Sequence, residues 1–154
     1  MARPTSFMAF LAAIVVAVLV FQGSAVPTGS WGLSFRQEGQ PPLGNAGADQ
    51  LRQFDAAYIG DINEKVLYLT FDAGYENGCT AQILDVLKKH QVPAAFFLVG
   101  NYIEKNADLV RRMVEEGHIV GNHSSTHPKF PTLIREQMAR EIGRLDAHLR
   151  DNFG

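Results

Sequence analysis

The chain has 154 residues, a formal net charge of −2 and no run of Lys or Arg longer than the pairs Lys88-Lys89 and Arg111-Arg112. That balance excludes a surface built to track phosphates, so no nucleic-acid partner is expected. A single cysteine, Cys79, excludes an internal disulfide framework. It reads as a small, buried apolar side chain rather than a reactive thiol.

Met1 to Phe7 carries one basic residue, Arg3, and no acid; Met8 to Phe21 is unbroken and apolar, and Gln22-Gly23-Ser24-Ala25 follows. A basic start, a short apolar core and small residues at its end predict a secretory signal peptide over residues 1–25, cut after Ala25. At about 1.5 Å per residue the apolar run reaches roughly 21 Å, short of the ~30 Å hydrocarbon core. The expected product is secreted and cell-wall associated, with no stable membrane insertion after cleavage.

Residues 26–60, rich in Pro, Gly, Ser and Gln and without periodicity, read as an extended lead-in, with Trp31 and Phe35 placed to dock onto the domain that follows. The domain is assigned to residues 61–154. Val66 to Phe71 is a short β-rich apolar run predicted to be a buried strand that stops at Asp72-Ala73-Gly74. Thr80 can cap a helix whose apolar face is read as Ile83, Leu84, Leu87 and Val86 and which ends near His90. Ala94 to Val99, introduced by Pro93 and stopped by Gly100, is the second strand. A further helix, beginning at Asn101 or Asn106, carries Leu109, Val110, Met113 and Val114 and ends at Gly117. Ile119-Val120 belongs to a third strand. Met138, Ile142, Leu145 and Leu149 then recur at helical spacing. This alternation predicts parallel β/α folding, with strands covered on both faces.

In such folds the carboxyl ends of the strands converge on the ligand-binding face. Asp72 follows the first strand; His123 and His127 follow the third. Imidazoles at i and i+4 can face one metal, and a nearby carboxylate can serve as a general base. Taken alone, such a pair also fits solvated or loop-capping histidines, and an Asp at a strand end often only caps a turn. His90 reads as a helix-end or surface residue, and His148 as part of a solvated helix face.

The combination is more specific than its parts. Thr70-Phe71-Asp72-Ala73-Gly74, followed by Gly121-Asn122-His123-Ser124-Ser125-Thr126-His127-Pro128, resembles the paired motifs of the polysaccharide deacetylase family, also called the NodB-homology or carbohydrate esterase family four domain. The longer string Thr70 to Gly78, with Ser30-Trp31-Gly32 and Ala57-Tyr58-Ile59-Gly60, is similar to the subgroup that deacetylates N-acetylmuramic acid in peptidoglycan, the step before muramic δ-lactam forms in spore cortex. The resemblance implies a distorted (β/α) barrel, of which the first half is present. It implies a hydrolase acting on the amide-linked acetyl groups of a wall glycan, either peptidoglycan or a chitin-type N-acetylglucosamine polymer. By the same resemblance Asp72 is the general base, His123 and His127 bind a divalent metal, zinc first among candidates, and Ser124 braces the loop between them.

Two departures qualify this expectation. The family's third metal ligand is an Asp at the position of Ala73, so any metal is expected to be held weakly. The family's arginine-containing motif and late general-acid histidine are expected beyond residue 154, so this chain alone is expected to be an inactive fragment. The rival reading is a degenerate deacetylase-like domain that binds wall glycan without turning it over.

Overall fold

The computed structural model describes residues 31–154. The signal peptide expected over residues 1–25 lies outside the described residues. The chain divides into one unit ending at Ile59 and a second over Gly60–Gly154. No described helix is long and apolar enough to cross a membrane.

In the first unit the lead-in is more structured than its composition predicts. Strands β1 (Leu33–Ser34) and β2 (Leu43–Gly44) pair antiparallel, and helix α1 spans Ala48–Arg52. The Trp31 ring meets Tyr58 edge-on at 5.4 Å, while Phe35 is 78% exposed. Proline and glycine content marks turns well, but two-residue strands leave no periodic signature.

The second unit is built on a three-stranded sheet. Strand β3 (Thr70–Ala73) leads into α2 (Thr80–His90); β4 (Ala95–Leu98) is followed by α3 (Gly100–Lys105) and α4 (Ala107–Glu115); β5 (Ile119–Asn122) is followed by a single 3₁₀ turn (Phe130–Thr132) and α5 (Arg135–Phe153). The sheet order is β3-β4-β5, and both pairings are parallel.

The first strand begins later than its apolar run predicts. Val66 to Leu69 lie outside β3 and are exposed. Pairing with β4 starts at Thr70 opposite Ala95, just after Pro93, and the last contact upstream is the Ala95 N–H donating to the Leu69 carbonyl. A strand needs a neighbour to accept its backbone bonds, and here the neighbour starts at Ala95.

Phe96 and Leu98 point from β4 into the core, where they pack with Leu84, Leu87, Tyr102, Ile103, Val110, Met113 and Leu145 from the helices. Phe71 stacks on Phe96 with ring centroids 4.9 Å apart. The opposite face is open: Thr70 and Asp72 are exposed, and Ala95 and Phe97 are half-buried. The expectation of strands covered on both faces is thus corrected, because α2 to α5 supply cover to one face. Arg112 ties α4 to α2, donating to the Asp85 carboxylate at 2.6 Å and to the Ala81 carbonyl at 3.3 Å. His118 is buried, and its Nδ1 accepts the Ala94 N–H at 3.2 Å, bracing the starts of β4 and β5.

Two further sequence expectations change. Cys79 is exposed, because it stands at the solvent-facing entrance to α2 instead of on its apolar face. His148 is half-buried against Phe153 rather than solvated. His90 is exposed at the end of α2, as its position predicts.

Candidate active site

The carboxyl end of β4 sets the geometry. On one side the Val99 N–H donates to the Ala73 carbonyl at 3.0 Å; on the other the His123 N–H donates to the Leu98 carbonyl at 3.0 Å. Each bond prolongs the sheet by one step, so Asp72 and His123 leave strands that flank β4, with backbones roughly 10 Å apart. Their side chains line one open cavity of about 600 Å³, with Ala73, Asn101, Thr126 and His127 among the other walls. The two imidazole centroids are 4.9 Å apart, with the rings tilted 44°.

The loop between the histidines is held in a demanding conformation. Ser124 has φ of 67° and His127 φ of 56°, in the left-handed region that costs a non-glycine residue about 1–2 kcal/mol. Local bonds offset that cost. Ser124 is 4% exposed; its N–H donates to Asn122 Oδ1 at 2.8 Å, and its Oγ accepts the His127 N–H at 3.0 Å. Its carbonyl accepts the Gly100 N–H at 3.2 Å. A side chain at position 100 would put its Cβ 2.6 Å from the Ser125 carbonyl oxygen, so only glycine lets α3 start this close to the loop.

Helix α5 grips the same loop from outside. The Glu141 backbone carbonyl accepts the Ser125 N–H at 3.2 Å. Its carboxylate accepts the Thr126 N–H at 2.8 Å and the Thr126 hydroxyl at 3.1 Å. Asn122, at the end of β5, donates to the Ile142 carbonyl at 2.9 Å and to Asp146 at 2.6 Å.

The loop after Asp72 has its own anchor in Glu76. One carboxylate oxygen accepts the Gly78 N–H at 2.6 Å and the Thr80 N–H at 3.4 Å. The other accepts the Thr80 hydroxyl and, at 2.8 Å, the hydroxyl of Tyr102 on α3. The Thr80 hydroxyl bond, helped by those from Tyr102 and the two N–H groups, holds the Glu76 carboxyl below its ordinary range although burial opposes the shift. Burial first, then the neighbouring carboxylate, pushes the Tyr102 hydroxyl up to about 12, so it stays a donor.

The structure therefore gathers Asp72, Ala73, His123 and His127 in one cavity, with Ser124 behind them. Sequence reasoning misses Glu76, Tyr102, Asn122, Glu141 and Asp146. Glu76 stands four positions before the predicted cap Thr80, a spacing that hints at a helix-entry carboxylate. Asn122 caps the Ser124 N–H two residues on, a short-range pattern that asparagine favours; the bonds of Tyr102, Glu141 and Asp146 to these loops span chain separations that carry no local signal.

Two imidazoles at this spacing suit a pair of ligands on one divalent cation. Among the described residues, no group of three or more His, Cys, Asp or Glu side chains is placed to hold a metal. Ala73, in the same cavity wall, contributes a methyl and no donor. The donors fit a cation that keeps most of its coordination to water, not a closed structural site.

Residues 60–154 match the polysaccharide deacetylase family. The peptidoglycan-N-acetylmuramic acid deacetylase PdaA of Bacillus subtilis is 42% identical over 134 residues, covering 85% of this chain and 51% of that protein. A chitooligosaccharide deacetylase of Rhizobium leguminosarum bv. trifolii is 49% identical over 89 residues, covering 58% of this chain and 40% of that protein. The solved structure of B. subtilis PdaA, a family 4 carbohydrate esterase, superposes with a TM-score of 0.74 at 40% identity, covering 82% of this chain and 54% of that one. The chain thus spans about half the length of the curated relatives it matches, and its three-stranded parallel sheet is a partial form of their fold. On its motifs, its sheet and these likenesses, the chain belongs to the polysaccharide deacetylase family.

Proposed function

We propose that this chain forms part of an exported hydrolase that removes N-acetyl groups from amino sugars of a wall glycan. The observation that carries the reading is one cavity holding Asp72, His123 and His127 at the carboxyl ends of parallel strands in one sheet. Asp72 is the general base: an exposed carboxylate facing the cavity can take the proton of the attacking water. His123 and His127 are the groups that hold a divalent cation, zinc first among candidates. When bound, the cation supplies polarisation of the acetyl carbonyl and a more acidic attacking water. The Ser124 bonds hold the backbone of the loop that carries both imidazoles before any substrate arrives.

The substrate favoured is N-acetylmuramic acid in peptidoglycan, because a relative matching 85% of this chain carries that activity in its name. A chitin-type N-acetylglucosamine oligomer is the alternative, on the strength of the chitooligosaccharide deacetylase. Ala73 motivates a second reading, a degenerate domain that binds glycan without turning it over. Acetate release by the full-length protein, from peptide-stripped peptidoglycan and separately from chitin oligomers, decides between them. Release from the first substrate alone supports the favoured reading, release from chitin alone moves the substrate, and binding without release establishes the degenerate domain.

A further inference from the structure

Tyr75 stands three residues after Asp72 and directly follows Gly74, which lines the cavity. It is 83% exposed. Exposure alone means little, since Leu67 and Phe35 are also exposed. What separates Tyr75 is the residue that follows it. The next residue, Glu76, anchors the loop through both carboxylate oxygens, to the N–H groups of Gly78 and Thr80, the Thr80 hydroxyl and the Tyr102 hydroxyl. Tyr102 is itself 1% exposed in the core. An exposed aromatic residue thus directly follows the cavity-lining Gly74, on a segment fixed to the hydrophobic core through Glu76, with no partner ring among the described residues.

We propose that Tyr75 is a sugar-stacking platform, receiving the apolar face of a pyranose in the glycan strand next to the residue presented to Asp72. This inference rests on the reading under Proposed function. The chemistry matches the surface. A pyranose shows a patch of C–H bonds, slightly positive at hydrogen, which the negative face of an aromatic ring attracts, while the phenol hydroxyl remains in water. Tyrosine supplies this contact at low entropic cost, having two side-chain torsions to fix. The Glu76 anchor lowers the cost further by ordering the loop before the glycan arrives. A platform on a neighbouring sugar acts alike on ground and transition states, so its contribution appears in KM.

The test uses the full-length protein with peptide-stripped peptidoglycan strands as the probe. Binding is measured by calorimetry on an Asp72→Asn background, where turnover is suppressed, and kinetics on the wild-type background. Tyr75→Ala is expected to weaken binding about tenfold and to raise KM with most of kcat kept. Tyr75→Phe is expected to restore affinity, since the ring face and not the hydroxyl makes the contact. An exposed side chain such as this one can be truncated with little effect on folding. Tyr75→Ala binding within twofold of its parent, or a loss confined to kcat, overturns the platform while leaving the proposed function standing. If the Asp72→Asn parent binds no glycan and the wild type releases no acetate, the proposed function itself falls, and the platform with it.

Discussion

Glu141 holds Thr126 with both carboxylate oxygens, one on its N–H at 2.8 Å and one on its hydroxyl at 3.1 Å. The residue gripped lies between His123 and His127, and the residue gripping it lies on α5. The last helix of the unit therefore sets the shape of the loop that carries both imidazoles.

Truncating that grip should disorder the loop more than it destabilises the fold. Glu141→Ala leaves Thr126 without either acceptor while Ser124 and His127 keep their positive φ. The bonds are exposed, so the melting change should correspond to about 1 kcal/mol. Activity of the full-length protein should fall about 10–100-fold, as when an outer partner of a metal-site ligand is removed. Glu141→Gln, which still offers one acceptor, should lose less. Activity of Glu141→Ala within twofold of wild type would show that the Glu141 carboxylate does not order the loop.

Glu76 gives the structure an acid-sensitive joint. Its carboxyl is held below its ordinary value of 4.5 in the folded state. A depressed carboxyl contributes stability above the unfolded value, and that contribution is lost as pH falls through the folded value. Glu76→Gln should therefore lose less stability than wild type when pH is lowered from about 5 to about 3. Denaturant unfolding at a series of pH values reads this directly, and parallel curves for the two proteins would contradict it.

Tyr102→Phe tests the same joint from the core side. It keeps the buried ring but removes the hydroxyl that Glu76 accepts at 2.8 Å. A loss of about 1–2 kcal/mol is expected at neutral pH. Because burial raises the Tyr102 hydroxyl from 10.0 to about 12, the wild-type contribution should be whole below the unfolded value and fall away as pH rises from there through the folded one. A variant as stable as wild type would mean that the loop after Asp72 is not anchored to α3.

The parts of the fold and site legible in the sequence are those written locally. Asp72 and His123 follow short apolar runs, and the local pattern alone puts them at strand ends. The Glu76–Tyr102 bond spans 26 positions and the Glu141–Thr126 bond spans 15, and neither residue type nor periodicity marks such pairs. Apolar β-rich composition extends the first strand back over Val66 to Leu69, because composition does not reveal where the pairing partner begins. Residue type makes Cys79 a buried side chain, whereas its position at the mouth of α2 decides its exposure.

Ala73 should leave the cation site weak and repairable. Two neutral imidazoles give a divalent ion few ligands and no charge compensation. Ala73→Asp should tighten zinc binding at least about tenfold by calorimetric titration of the full-length protein, and His123→Ala in that background should reverse the gain. If the Asp variant binds zinc no better and melts lower, the added carboxylate is an uncompensated charge, and the two-histidine site is wrong.

With Asp72 as the base in de-N-acetylation, acetate release depends on its carboxylate, and Asp72→Asn removes that carboxylate alone. The amide keeps the shape of the carboxylate but cannot take the water's proton. With the fold verified by its melting transition, release from peptide-stripped peptidoglycan should fall by about 10²–10⁴-fold relative to wild type. Release by Asp72→Asn within a few-fold of wild type would remove Asp72 from the chemistry and contradict the account.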